Sequence, residues 1–181
     1  MKKILFLLTP LFCLNAQVDL DYYLGDTSNY NQSIPTPESV IGHQVGELHV
    51  SHDKLSHYIQ EVSKNSDRVK LVNRGKTYEN RVSWLMIITS ESNHSRLEEI
   101  RKNHLELSNS KGRDIDVSNM PIVVYKGYTV HGDEPSGTNA SMLLMYNLLA
   151  SNSEETKDLL ENTIILLDPS MNPDGHQRFS Q

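Results

Sequence analysis

The chain has 181 residues, 37% of them hydrophobic, and a formal net charge of -6 at neutral pH. That length buries one sizeable core and sets a single domain as the expectation. The acidic balance, with no basic run interleaved with aromatics, excludes a phosphate-tracking groove and a polybasic membrane patch, so no nucleic-acid partner is expected.

Met1-Lys2-Lys3 leads into an apolar run from Ile4 to Leu14, interrupted by Thr9 and Pro10 and followed by Asn15-Ala16-Gln17. A basic start, a short apolar run and a small residue form the pattern of an export signal over residues 1–16, with cleavage after Ala16. About 11 apolar residues fall short of the roughly 20 needed to span a bilayer, so no stable membrane span is expected. Removing Lys2 and Lys3 without removing an acid takes the charge from -6 to -8. The only cysteine, Cys13, lies inside the signal, which leaves the exported protein without a thiol for a disulfide, a nucleophile or a metal ligand. A lipid anchor on Cys13 is disfavoured because Phe12, rather than a small residue, precedes it. The expected compartment is periplasmic or extracellular.

Residues 17–37 are polar and rich in Tyr, Asn, Ser and Pro without sustained periodicity, and read as a mobile or surface-wrapping arm. Residues 38–181 read as one unit. A polar turn near Gly42 and Gly46 precedes a helix over 52–62, whose Leu55, Tyr58, Ile59 and Val62 form one stripe. Val69, Leu71 and Val72, then Val82 to Ile88 beyond a Glu79-Asn80-Arg81 turn, predict two adjacent antiparallel strands. Residues 91–112 are charged and helix-compatible, with Leu97, Ile100 and Leu105 near the middle, and predict a surface helix. A strand over 121–125 that ends at Gly127, a helix over 138–149 and a strand over 163–167 follow.

Apolar runs this continuous are expected to be buried on both faces, in an α/β fold whose mixed, largely parallel sheet carries helices on both sides. Ligands in such sheets sit at the carboxyl ends of the strands. His131 follows one of these strands and Asn172 follows the other.

In the stretch from Tyr128 to Gly137 an apolar strand stops and a helix begins, with Pro135 suited to the first helical position. His131 and Glu134 stand three apart on a turn that Gly132 lets run close, and such a pair can converge on one metal ion. The same spacing also suits a turn histidine bonded to backbone and a carboxylate capping the helix. Asp133 between them reads as a solvated helix-start carboxylate. A second turn, Asp168 to Gly175, is marked by Pro169, Pro173 and Gly175. Met142, Leu143, Leu144, Met145, Leu148 and Leu149 give the intervening helix a broad apolar face, suited to pinning the first turn.

Together, His131-Gly132-Asp133-Glu134 and Asn172-Pro173-Asp174-Gly175, about 40 residues apart with one helix and one strand between them, resemble the zinc carboxypeptidase family of the A and B type. The resemblance runs from about Pro37 to the end and includes the hairpin from Lys70 to Thr89. It implies an α/β/α sandwich, incomplete in this chain, and Zn2+ held by His131, Glu134 and a second histidine further along. It implies hydrolysis of C-terminal peptide bonds, with a peptide or protein C-terminus as substrate and a metal-bound water as attacking group.

The family's general base and specificity pocket are expected beyond residue 181. Its oxyanion-stabilising arginine follows the second turn by about a dozen residues. Arg178 follows Gly175 by only three, which favours a surface role over a catalytic one. His43, His49, His52, His57, His94 and His104 precede the first ligand, and His176 lies too close to the second turn, so each is expected on the surface or in packing. Two other functions share this beginning: a zinc amidohydrolase acting on N-acyl amino acids or cell-wall peptides, and a non-catalytic, truncated binding module. With two ligands and no base, the 181-residue chain itself is expected to have little peptidase activity.

Overall fold

The computed structural model describes residues 20–109 and 115–180; the expected export signal, Cys13 and the first residues of the arm lie outside them. Helix α1 (Leu20–Leu24) and helix α2 (Pro37–Ile41) open the described part. Thr36 caps α2, its hydroxyl accepting from Ser39 N–H, and Pro37 takes the first helical position. Between the two helices, Tyr30 and Ile34 are buried in the core. The Tyr30 hydroxyl accepts from Asn147 Nδ2 at 2.6 Å and donates to the Leu24 carbonyl at 3.2 Å. The arm is thus anchored by single side chains set in turns, which leave no periodic trace in sequence.

Helix α3 (His52–Lys64) buries the expected stripe, Leu55, Tyr58, Ile59 and Val62. Strands β1 (Val69–Lys76) and β2 (Val82–Ile88) form the antiparallel hairpin. The single surface helix expected over 91–112 is instead two helices, α4 (Glu91–Ser95) and α5 (Leu97–Leu107), with a break at Arg96. Arg96 leaves the helical conformation there, and α4 is tied separately to the end of α7, the buried Asn93 Nδ2 donating to the Leu160 and Glu161 carbonyls. Strand β3 (Ile122–Gly127), helix α6 (Pro135–Ala150), helix α7 (Glu154–Asn162), strand β4 (Thr163–Asp168) and helix α8 (Pro173–Phe179) complete the order. The second turn of the sequence is thus the start of a helix.

The sheet order is β1-β2-β4-β3. Its ladders make β1, β3 and β4 run one way and β2 the other, so the sheet is mixed and its parallel neighbours are β3 and β4. Alternation then sorts the side chains. Val69, Leu71, Met86, Ile88, Ile165 and Leu167 face one side and join Tyr58, Ile59, Met142 and Met145 in the main core. Ile87, Val123, Ile164 and Leu166 face the other side and, with Leu97, Ile100 and His104 of α5, line a cavity of about 680 Å³. Helices therefore cover both faces, as expected of this α/β class.

Burial on both faces holds for β4, whose residues are nearly all buried, but not for β3. Ile122 is 60% exposed and Tyr125 52% exposed, because β3 is the edge strand and pairs only with β4 among the described residues. An apolar run marks a strand without saying whether it lies at the centre or the edge. The expected contrast is direct. Ile165→Ala should cost about 3 kcal/mol of stability, as for a buried aliphatic, whereas Ile122→Thr should change it by less than about 0.5 kcal/mol. Chemical denaturation of the two variants checks this, and equal costs would contradict the edge position of β3.

Candidate functional site

Each residue of β3 pairs with the residue 41 positions later in β4, and the ladder ends with Gly127 opposite Asp168. Strands paired in this way finish side by side, so the two segments leaving them emerge at one edge of the sheet. Backbone bonds then carry the pairing onward. Tyr128 N–H donates to the Asp168 carbonyl at 2.9 Å, Met171 N–H to Tyr128 at 2.9 Å and Asn172 N–H to Thr129 at 3.2 Å. Asn172 adds a side-chain bond from Nδ2 to the Val130 carbonyl at 3.1 Å. Its Oδ1 accepts from Gly175 N–H at 3.0 Å as the N-cap of α8. One asparagine therefore clamps the first turn with its amide while capping the helix of the second with its carbonyl.

The approach of the two turns is closest at Gly132. A Cβ there would stand 2.0 Å from the carbonyl carbon and oxygen of Gly175 and 2.5 Å from the His176 nitrogen. No side chain fits, so the glycine is required by backbone contact rather than by its φ. A Cβ on Gly175 would in turn meet Asn172 Nδ2 at 2.5 Å.

On the outer side of this junction His131 and Glu134 are exposed, as is Asp133 between them. Glu134 N–H donates to the His131 carbonyl at 3.3 Å and closes the turn. Glu134 occupies the N-cap position of α6, yet its carboxylate makes no cap bond. Neither the His131 nor the Glu134 side chain has a partner among the described residues. The capping and backbone-bonding roles that the spacing also allowed are not taken up. An imidazole and a carboxylate on one turn, both uncommitted and open to solvent, fit the donor set of a zinc ion. Among the described residues no group of three or more His, Cys, Asp or Glu side chains is placed to hold a metal.

Arg178 is exposed, and its Nη2 bonds Glu79 Oε1 at 2.7 Å. It belongs to a charged contact between α8 and the β1–β2 hairpin. Asp174 anchors that contact, accepting from Thr77 Oγ1 at 2.6 Å, Arg81 Nη1 at 2.9 Å and Glu79 N–H at 3.1 Å. Burial pushes the Asp174 carboxyl up, but these donors outweigh it and hold its pKa below the ordinary aspartate value. At the end of β4, the buried Asp168 carboxylate accepts from Arg74 Nη2 at 2.5 Å and from Tyr125 Oη at 3.0 Å, which ties β4 to its neighbour β3 and, across β2, to β1.

Behind the first turn lies a buried polar cluster that sequence reasoning missed. Thr129 adopts φ 56°, a left-handed conformation that costs a β-branched residue about 1–3 kcal/mol. Its hydroxyl lies 2.8 Å from that of Thr138, which is 3.3 Å from His176 Nε2. His176 is fully buried, in packing as expected but at the centre of the cluster. The available signal was in the helix: Thr138, Asn139 and Ser141 are polar residues that precede the apolar run of α6, and all three are buried.

The zinc carboxypeptidase family model, Peptidase_M14, matches residues 55–181, more than half of the chain. Among solved structures, the carboxypeptidase A from Helicoverpa armigera superposes with a TM-score of 0.51 at 19% identity, over 77% of this chain and 31% of that one. Thrombin activatable fibrinolysis inhibitor (TAFI) superposes with a TM-score of 0.51 at 12% identity, over 84% of this chain and 31% of its own. At such identities the likeness is one of fold, and the chain spans about a third of either structure's length. No curated protein sequence matches the chain.

The Gly132 contact gives the most direct structural test. Gly132→Ala must separate the two turns or distort them, and should destabilise the protein by about 2 kcal/mol or more. The exposed neighbour Asp133→Ala should leave stability within about 0.5 kcal/mol. Thermal unfolding of the two variants decides between a packed junction and a loose one.

Proposed function

The chain belongs to the zinc carboxypeptidase family, and on that premise we propose that His131 and Glu134 are two of the three protein ligands of a catalytic zinc site. The whole protein is then an exported metallocarboxypeptidase that hydrolyses C-terminal peptide bonds. The observation that carries this reading is the pairing of two uncommitted side chains on a turn clamped from behind. Export rests on the pattern of residues 1–16; no described helix is long and apolar enough to cross a membrane.

When bound, zinc supplies Lewis-acid polarisation of a carbonyl and of a water at an open coordination position. The chain's own residues supply the placement. His131 offers a ring nitrogen and Glu134 a carboxylate from one turn, and Asn172 with Gly132 fixes that turn to the end of the sheet. A ligand-bearing loop held in this way loses little freedom on binding metal, which favours affinity. Arg178 is given no catalytic role, because its guanidinium bonds Glu79 on the hairpin.

A catalytic zinc site needs three protein ligands and a base. The 181-residue chain should therefore bind zinc modestly and show little or no release of C-terminal residues from peptides. Calorimetric titration at neutral pH should find His131→Ala and Glu134→Ala each weakening zinc at least roughly tenfold. Unchanged affinity in both variants would remove the ligand assignment. Robust, chelator-sensitive peptidase activity of the purified chain would show that its site is more complete than proposed here.

A further inference from the structure

His176 lies on the inner side of the metal-ligand turn. We propose that it is a positioning residue for that turn, acting through hydrogen bonds made by both of its ring nitrogens. The inference rests on the ligand reading only for its zinc readout; the geometric part stands apart from it.

The ring is wholly enclosed. Nε2 lies 2.6 Å from the Val50 carbonyl, which can only accept, so the proton sits on Nε2 and donates there. Nδ1 is then the acceptor for the Ser170 hydroxyl at 3.2 Å. Nε2 also lies 3.3 Å from Thr138 Oγ1, which bonds the Thr129 hydroxyl. One ring therefore joins the segment before α3, the segment after β4 and the first turn of α6. Thr129 stands two residues before His131 in its left-handed conformation, and its carbonyl accepts from Asn172 N–H. The backbone of His176 closes the circuit, since its nitrogen is among the atoms nearest Gly132. Moving this ring removes a contact of the Thr138 hydroxyl, the partner of Thr129, and loosens the surface on which Gly132 rests.

The surroundings also set a proton dependence. His49 stacks on His176 with ring centres 5.8 Å apart, and His52 meets it edge-on at 6.0 Å. Burial, the largest cause, together with these two rings, lowers the His176 pKa from 6.5 to about 4; the Val50 bond and Asp53 oppose the shift. His52 is itself lowered, by burial first and then by Arg81, with Asp53 and Asp174 acting the other way. The sign follows from linkage: as pH falls below 6.5 the unfolded chain takes up the proton before the folded one does. His176 therefore subtracts stability progressively from about 6.5 to about 4 and adds no further slope below. A protonated ring would turn a second N–H toward Ser170 and place a charge between two imidazoles.

The test uses His176→Phe, which keeps the ring volume and loses both hydrogen bonds, and His176→Gln, which retains a donor. Hydrogen exchange of the metal-free chain is followed at Glu134, Met171 and Asn172, with Met145 and Leu167 as core references. In His176→Phe the three junction amides should exchange about tenfold faster while the core references hold. Its zinc affinity at pH 7.5 should fall roughly tenfold, as for other residues that orient metal ligands. His176→Gln should recover most of both. The stability slope between pH 6.5 and 4 should be shallower in either variant than in the parent. If neither variant alters junction exchange, the positioning role is refuted. If His176→Phe does not fold, His176→Leu takes its place: faster exchange at the three junction amides with unchanged core references supports the proposal, and parental exchange there overturns it. If the parent chain binds no zinc but junction exchange still rises in His176→Phe, the ligand reading fails and the positioning role stands.

Discussion

Gly132 and the Gly175 peptide approach so closely that no side chain fits between the two turns. Much of the local architecture serves this contact. The parallel register of β3 and β4 brings Gly127 and Asp168 level, three backbone bonds carry the two chains beyond the sheet in step, and Asn172 locks them together. The interval of about 40 residues between the two sequence motifs is thus the strand register made visible. An insertion in either turn would break the alignment even if every side chain were kept.

The Asn-Pro-Asp-Gly segment shows how four residues can meet several demands. Asn172 points back to the first turn and also caps α8. Pro173 begins the helix, where a missing N–H costs nothing. Asp174 reaches away to the hairpin, where Thr77, Arg81 and the Glu79 amide hold it. Gly175 leaves room for Asn172. The hairpin, the sheet and the first turn are therefore joined through a single helical start.

The sequence made periodic and punctuated features legible. The α3 stripe, the β1–β2 hairpin, the apolar β4 and the strand-to-helix passage at Pro135 each leave a local signature, and the His131 and Asn172 motifs point to the same sheet edge. What stayed hidden depends on contacts between distant residues. Tyr30 and Ile34 anchor the arm without a repeat. One apparent helix is two, the first held by Asn93 to the Leu160 and Glu161 carbonyls, far along the chain. The edge position of β3 is a property of sheet order, to which an apolar run is blind. His176 looked like one of several packing histidines because its partners lie at Val50, Thr138 and Ser170.

The distribution of committed and uncommitted groups bears on the proposed metal site. Polar residues behind the turn are bonded to one another and shielded: Thr129, Thr138, Ser170 and His176 are all buried. The two proposed ligands in front of it are exposed and unpartnered among the described residues. A turn built for stability alone would have little reason to keep Thr129 in a left-handed conformation that costs about 1–3 kcal/mol, since a glycine there would avoid the strain. Thr129 contributes what glycine lacks, a hydroxyl that reaches Thr138 and through it His176. The strain is thus offset by a bonded cluster that fixes the backbone two residues before His131. That is the arrangement expected where a ligand has to be held in place before the metal arrives.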